Sequence, residues 1–157
     1  MQPTPQIGKP RKPSARVEVT VTAGFEYPLE CVWKKLGRFS SIENWQRAVK
    51  YCATNERNDG IYRVVVMQDD TAFVERLELL SHDTTTIAYS IVSSPLDIKD
   101  YLCTLQFTRA SENKTLLRWT AQFSANDPTQ AETLKNSLYD LFMMGVNGMQ
   151  QFIQSDN

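Results

Sequence analysis

At Asp127 the periodicity of the chain changes. Before it, apolar residues recur at every second position in short runs, as in Val17, Val19 and Val21. After it, Ala131, Leu134, Leu138, Leu141, Phe142, Val146, Met149 and Phe152 recur every third or fourth position. The first spacing puts one apolar face on a strand, and the second puts one apolar stripe on a helix. The start of the second regime, Asp127-Pro128-Thr129-Gln130, has Asp as N-cap, Pro at the first helical position and Gln in a capping-box place. The helix is expected to run to about Gln154, on the order of 38 Å. Gly145 and Gly148 lie inside it and each costs roughly 1 kcal/mol against alanine. Two readings stand for them: close packing, or room left by Gly145 beside the helix for a ligand.

Seven strands precede this helix. They are expected at Arg16–Phe25, Val49–Asn55, Ile61–Met67, Phe73–Leu80, Thr85–Val92, Lys99–Thr108 and Thr115–Ser124. Short polar turns such as Gln68-Asp69-Asp70-Thr71 and Ser81-His82-Asp83-Thr84 join the later ones, which predicts an antiparallel meander. Between the first two strands, Pro28 opens a short helix with Cys31, Val32 and Leu36 as its stripe and Gly37 as its stop. Phe39–Trp45 predicts a further turn or two of helix. The class is α+β.

The 157 residues fit one domain, placed at 16–155, behind a proline-rich polar tail at 1–15 that is expected to be disordered. A net charge of −1 gives no field for nucleic acid or anionic lipid, so no nucleic-acid partner is expected. No apolar run approaches the roughly 18 residues of a membrane span. Cys31, Cys52 and Cys103 form no CxxC pair and no cluster with the single histidine, His82. Neither a metal nor another cofactor is therefore expected. Without an export signal, free thiols in a reducing cytoplasm are the simplest account. Oligomeric state is not legible.

The stretch Phe73-Val-Glu-Arg-Leu-Glu-Leu-Leu80 raises the functional question. As a strand it turns Phe73, Glu75, Leu77 and Leu79 to one face, apolar but for Glu75. Aligning the apolar faces of successive strands predicts a central row of Val65, Glu75, Tyr89, Cys103 and Trp119. The row on one side is Met67, Phe73, Ile91, Tyr101 and Ala121; that on the other is Arg63, Leu77, Ile87, Leu105 and Leu117. An unpaired carboxylate there would pay a desolvation cost. Arg63, diagonal to it in this register, Tyr89 and Tyr101 are the groups that can relieve it. Two readings remain open: a buried Glu75–Arg63 ion pair, or a carboxylate facing a cavity and meeting a polar group of a ligand.

Several segments together resemble the START-like (SRPBCC) superfamily, which includes polyketide cyclase/dehydrase-like proteins and plant abscisic-acid receptors. They are Pro28–Trp33 with Leu36-Gly37-Arg38-Phe39, Trp45, Gly60-Ile61-Tyr62-Arg63, Glu75-Arg76-Leu77-Glu78, Asp100-Tyr101, Thr115–Trp119, and the last helix with Gly145-Val146. The resemblance spans about Val17 to Phe152. It implies a helix-grip fold: a seven-stranded antiparallel sheet curled around the C-terminal helix, with a cavity for hydrophobic molecules between them. It also implies that Glu75 and Tyr101 line that cavity, with Tyr89, Trp119 and the helix face near Leu138, Leu141 and Gly145. Two features depart from the hormone receptors. Gln68–Ala72 is a short turn where they carry a gating loop, and Gln46 stands where they carry a ligand-binding lysine. Hormone sensing is not implied.

The ligand-contacting set expected is therefore Arg63, Val65, Met67, Phe73, Glu75, Tyr89, Ile91, Tyr101, Cys103, Trp119, Ala121, Leu138, Leu141 and Gly145. The expected partner is a small hydrophobic or amphipathic molecule. The alternative is a cyclase or dehydratase in which Glu75 is the general base and Tyr89 or Tyr101 its proton-donating partner. His82, in a turn, is expected to be remote from this chemistry.

Overall fold

The computed structural model describes residues 13–155. The tail expected over residues 1–15 falls, up to residue 12, outside the described residues. Seven antiparallel strands form one sheet in the order β1-β7-β6-β5-β4-β3-β2. They are β1 (Ala15–Phe25), β2 (Val49–Arg57), β3 (Gly60–Met67), β4 (Ala72–Ser81), β5 (Thr86–Ser93), β6 (Ile98–Ser111) and β7 (Lys114–Ala125). After β1 come helix α1 (Leu29–Leu36), a 3-10 turn (Phe39–Ser41) and helix α2 (Ile42–Trp45). Helix α3 (Ala131–Gln154) closes the chain. This is the α+β helix-grip arrangement expected from the sequence, with seven strands, two short helices and one long one.

Strict alternation in β1 and β7 buries Val17, Val19 and Val21 beside Leu117, Trp119, Ala121 and Phe123. From α3, Phe142, Val146, Met149 and Ile153 enter the same core. Burying a side chain of that size stabilises the fold by about 2 kcal/mol. Burial along α3 is uneven. Leu134, Leu138 and Leu141, in its first half, are only half-buried. The second half is pressed onto α2. A Cβ at Gly148 would stand 1.6 Å from the Trp45 carbonyl oxygen. One at Gly145 would stand 2.8 Å from Gln46 Nε2 and from the Trp119 ring. Both glycines are therefore there for close packing, and Gly145 leaves no ligand space.

The start of α3 differs from expectation. Asp127 caps a 3-10 turn over Pro128–Gln130, its side chain accepting from the Thr129 N–H at 3.0 Å. Asp127 and Pro128 hold the cap and the first position as expected, but the first turn is the tighter one, closed by the Gln130 N–H donating to the Asp127 carbonyl at 3.0 Å.

Three registers also differ. Glu75 lies opposite Arg63, not Val65, because the β3–β4 connection closes with Met67 N–H donating to Thr71 O at 2.8 Å. Glu75 lies opposite Ile91, and Leu77 takes the place beside Tyr89. Cys103 lies beside Tyr89 as expected, but its β7 neighbour is Ala121, while Trp119 pairs with Leu105. Each slip is two residues, which leaves every side chain on its own face. Irregular pairing between Leu77 and Leu79 does change a face: Leu79, expected inside, is exposed. A second bulge sits at Asp100, in the left-handed region at φ 56°. The extra residue lets both Ile98 and Tyr101 turn inward.

Candidate functional site

Where the first half of α3 stands over β3–β6, the structure holds a cavity of about 100 Å³. Its walls come from the sheet (Val65, Met67, Phe73, Glu75, Tyr89, Ile91, Tyr101, Trp119), from α3 (Leu138, Leu141, Phe142), and from Ile42, Gln46, Val49 and Leu96. Drug-sized ligands occupy roughly 300–1,000 Å³, whereas an engineered apolar cavity near 150 Å³ takes benzene. The space is smaller than either. Trp119, stacked on Phe142 with centroids 4.0 Å apart, fills the deep end. Leu96, in the β5–β6 loop and 41% exposed, stands at the open side.

Glu75 is the one acidic group in this wall, 7% exposed. Arg63, directly across the ladder and 4% exposed, donates from Nε to Glu75 Oε1 at 2.7 Å. Its Nη1 donates to the Phe39 carbonyl at 2.6 Å. The guanidinium lies 4.1 Å from the Phe39 ring centroid and 4.5 Å from that of Tyr89. The cation is thus held by a carboxylate, a carbonyl and two aromatic faces, each of which offsets part of its desolvation. Burial pushes the Glu75 carboxyl upward, and the charge and hydrogen bond of Arg63 pull it back. Oε2 of Glu75 has no donor among the described residues. The ion pair of the first reading is formed, and Glu75 also lines the cavity.

Next to the pair, Tyr89 and Tyr101 are buried, and burial holds both hydroxyls well above the usual tyrosine range. Both are hydrogen-bonded with Cys103, which also accepts from Trp119 Nε1 at 3.0 Å. Burial pushes the Cys103 thiol to about 12, so it is neutral at physiological pH. It holds ring substituents rather than acting as a nucleophile.

Of the fourteen residues expected at the site, ten line the cavity: Val65, Met67, Phe73, Glu75, Tyr89, Ile91, Tyr101, Trp119, Leu138 and Leu141. Four do not. Arg63 lies behind Glu75, Cys103 behind the tyrosines, and Gly145 under Gln46 and Trp119. Ala121, fully buried, lies beside Cys103 in the β6–β7 ladder. Five lining residues were missed. Gln46 is the most informative: Nε2 donates to the Leu141 carbonyl at 3.1 Å and ties α2 to α3 at the cavity wall. Only the resemblance marked this position in one dimension, as the place where the hormone receptors carry a ligand-binding lysine, and nothing local to Gln46 shows its bond to Leu141. Phe142 belonged to the helix stripe, and Ile42, Val49 and Leu96 lie in segments whose placement depends on tertiary contacts.

His82 is outside the site, accepting at Nδ1 from Trp33 Nε1 at 3.0 Å. Cys31, in the expected α1 stripe, is exposed, and all three cysteines are free thiols. Among the described residues no three His, Cys, Asp or Glu side chains come together to hold a metal ion. No helix among them is long and apolar enough to cross a membrane.

The sequence profile described as polyketide cyclase / dehydrase and lipid transport matches residues 16–143. No curated protein matches significantly. Among solved structures, the protein XoxI from Bacillus cereus is 24% identical over 88% of this chain and 96% of its own, with a TM-score of 0.78. The Zhui aromatase/cyclase from Streptomyces sp. R1128 is 15% identical, covering 89% of this chain and 94% of its own, with a TM-score of 0.74. Norcoclaurine synthase from Thalictrum flavum, solved with dopamine and hydroxybenzaldehyde, is 6% identical over 92% of this chain and 90% of its own, with a TM-score of 0.70. At such identities the likeness is one of fold: the START-like helix grip.

Proposed function

The chain belongs to the polyketide cyclase/dehydrase and lipid transport family, and from that premise we propose that it binds a small hydrophobic or amphipathic molecule between the sheet and the first half of α3. The observation that carries this reading is Glu75: a buried carboxylate in an apolar and aromatic wall, with one oxygen held by Arg63 and the other without a donor. Such a wall with a single convergent polar group is how small-molecule pockets combine affinity with orientation. Half-buried Leu138 and Leu141 and exposed Leu96 are the side chains whose movement enlarges the space.

A catalytic reading has one observation in its favour. Tyr89 and Tyr101 keep their protons in the same wall as Glu75, so either can donate to a carbonyl while the carboxylate takes an α-proton. Arg63 works against it, because its charge lowers the carboxylate's basicity.

Native mass spectrometry of the protein purified from its source tests the binding reading, with a co-purified molecule as the expected result. An unliganded spectrum, together with no saturable binding of toluene or p-cresol, overturns it. On an identified compound, Glu75→Gln separates the two readings. A binder keeps its affinity for the apolar body within a few-fold, whereas an enzyme loses turnover.

A further inference from the structure

A second, larger hollow lies on the outside of the molecule, away from Glu75. It is a cleft of about 540 Å³ between α1, the Phe39–Ser41 turn with α2, and the C-terminal end of α3. Its charged lining is all of one sign: Lys34, Lys35 and Arg38, with no acidic residue. That is unusual in a chain whose net charge is −1. Lys35 is fixed in place. Its Nζ donates to the Phe152 carbonyl at 2.8 Å and to Ser155, and lies 5.0 Å from the Phe152 ring centroid. Lys34 and Arg38 are exposed, and their side chains have no partner among the described residues. Ser40 and Asn44 add neutral polar groups at the rim, and Tyr27 and Phe152 add half-buried aromatic surface.

We propose that this cleft is a binding site for an amphipathic organic anion, a phosphate monoester on an apolar arm, distinct from the cavity at Glu75. Lys34 and Arg38 supply two uncommitted cations with donors suited to a phosphate's oxygens, and Arg offers two parallel N–H groups. Lys35 adds a third positive charge that is already ordered. The aromatic surface of Tyr27 and Phe152 covers the apolar arm. The preference over a neutral ligand follows from the sign of the lining, and the preference over a bare anion follows from its aromatic floor.

Cys31 lines the cleft and is exposed, which gives a local readout. Alkylation by iodoacetamide, a neutral reagent, is followed by mass spectrometry with Cys52 as internal reference. Octyl phosphate is expected to slow modification of Cys31 at least about tenfold at saturation, while octanol and inorganic phosphate at equal concentration leave it nearly unchanged. The double variant Lys34→Glu/Arg38→Glu, at two exposed positions, is expected to lose the protection and keep its thermal midpoint. Equal protection by octanol, or protection that survives the double variant, overturns the proposal. Protection by vesicles of phosphatidylcholine and phosphatidic acid, with none by monomeric octyl phosphate, also overturns it and assigns a bilayer surface instead.

Discussion

Arg63 and Glu75 face each other across the β3–β4 ladder, joined at 2.7 Å in a wall that is otherwise apolar and aromatic. The rings of Phe39 and Tyr89 lie against the cation, and the Phe39 carbonyl accepts from its Nη1.

Removing one partner is therefore expected to cost more than removing both. Glu75→Leu leaves a buried cation and should destabilise the fold by about 3–5 kcal/mol, while Arg63→Met/Glu75→Leu should lie within about 1–2 kcal/mol of the parent. Urea denaturation of the three proteins measures this. Equal losses for the single and double variants would show that the bond contributes little.

The same pair sets a pH dependence. Burial raises Glu75 in the folded state, so its protonated form is favoured by folding. The associated stability is full below the unfolded carboxyl value and is lost as pH rises through the folded one. In Arg63→Met the counter-charge is gone and the folded value rises further. That variant is expected to be more stable near pH 5 than near pH 8, by a larger margin than the parent. A flat difference between the two proteins across that range would contradict it.

Gly148→Ala and Gly145→Ala test the approach of α3 to α2. The added methyl at 148 meets the Trp45 carbonyl at 1.6 Å, and backbone must move. A loss of about 2–4 kcal/mol is expected despite the roughly 1 kcal/mol gain in helix propensity. At 145 the obstacles are the Gln46 amide, which can swing, and the Trp119 ring, which is held by Phe142. A smaller loss is expected, read as a smaller fall in thermal midpoint.

Leu138→Trp puts an indole into the cavity from a half-buried position on α3. The fold should be kept, with a change within about 1 kcal/mol, because the side chain fills existing space. Binding of p-cresol, followed by isothermal calorimetry, should disappear. Undiminished binding would place the ligand elsewhere.

Thiol reactivity should follow burial. At pH 8 iodoacetamide is expected to modify Cys31 first and half-buried Cys52 more slowly. Cys103, fully buried and pushed to about 12, should react only on unfolding. Mass mapping of a time course decides it, and early labelling of Cys103 would mean that the cavity wall opens readily.

The faces of the sheet were legible in one dimension. Alternation in Val17–Val21 and in Tyr101–Phe107, and the stripe from Leu134 to Phe152, fix which side of each element meets its partner, because the pleat and the helical turn are local geometry. That parity put Glu75 inside. The neighbours of Glu75 were not legible. A two-residue slip preserves every face, so hydrophobic patterning accepts Val65 or Arg63 opposite it equally well. The Met67–Thr71 closure chose Arg63, and the bulges near Leu79 and at Asp100 then set which rows continue across the sheet. The cavity itself belongs to the tertiary structure. Gly148 against Trp45 fixes how close α3 comes, and Gln46 ties Leu141 to the wall. Those contacts join residues about a hundred positions apart, and their depth depends on volumes that no local pattern encodes.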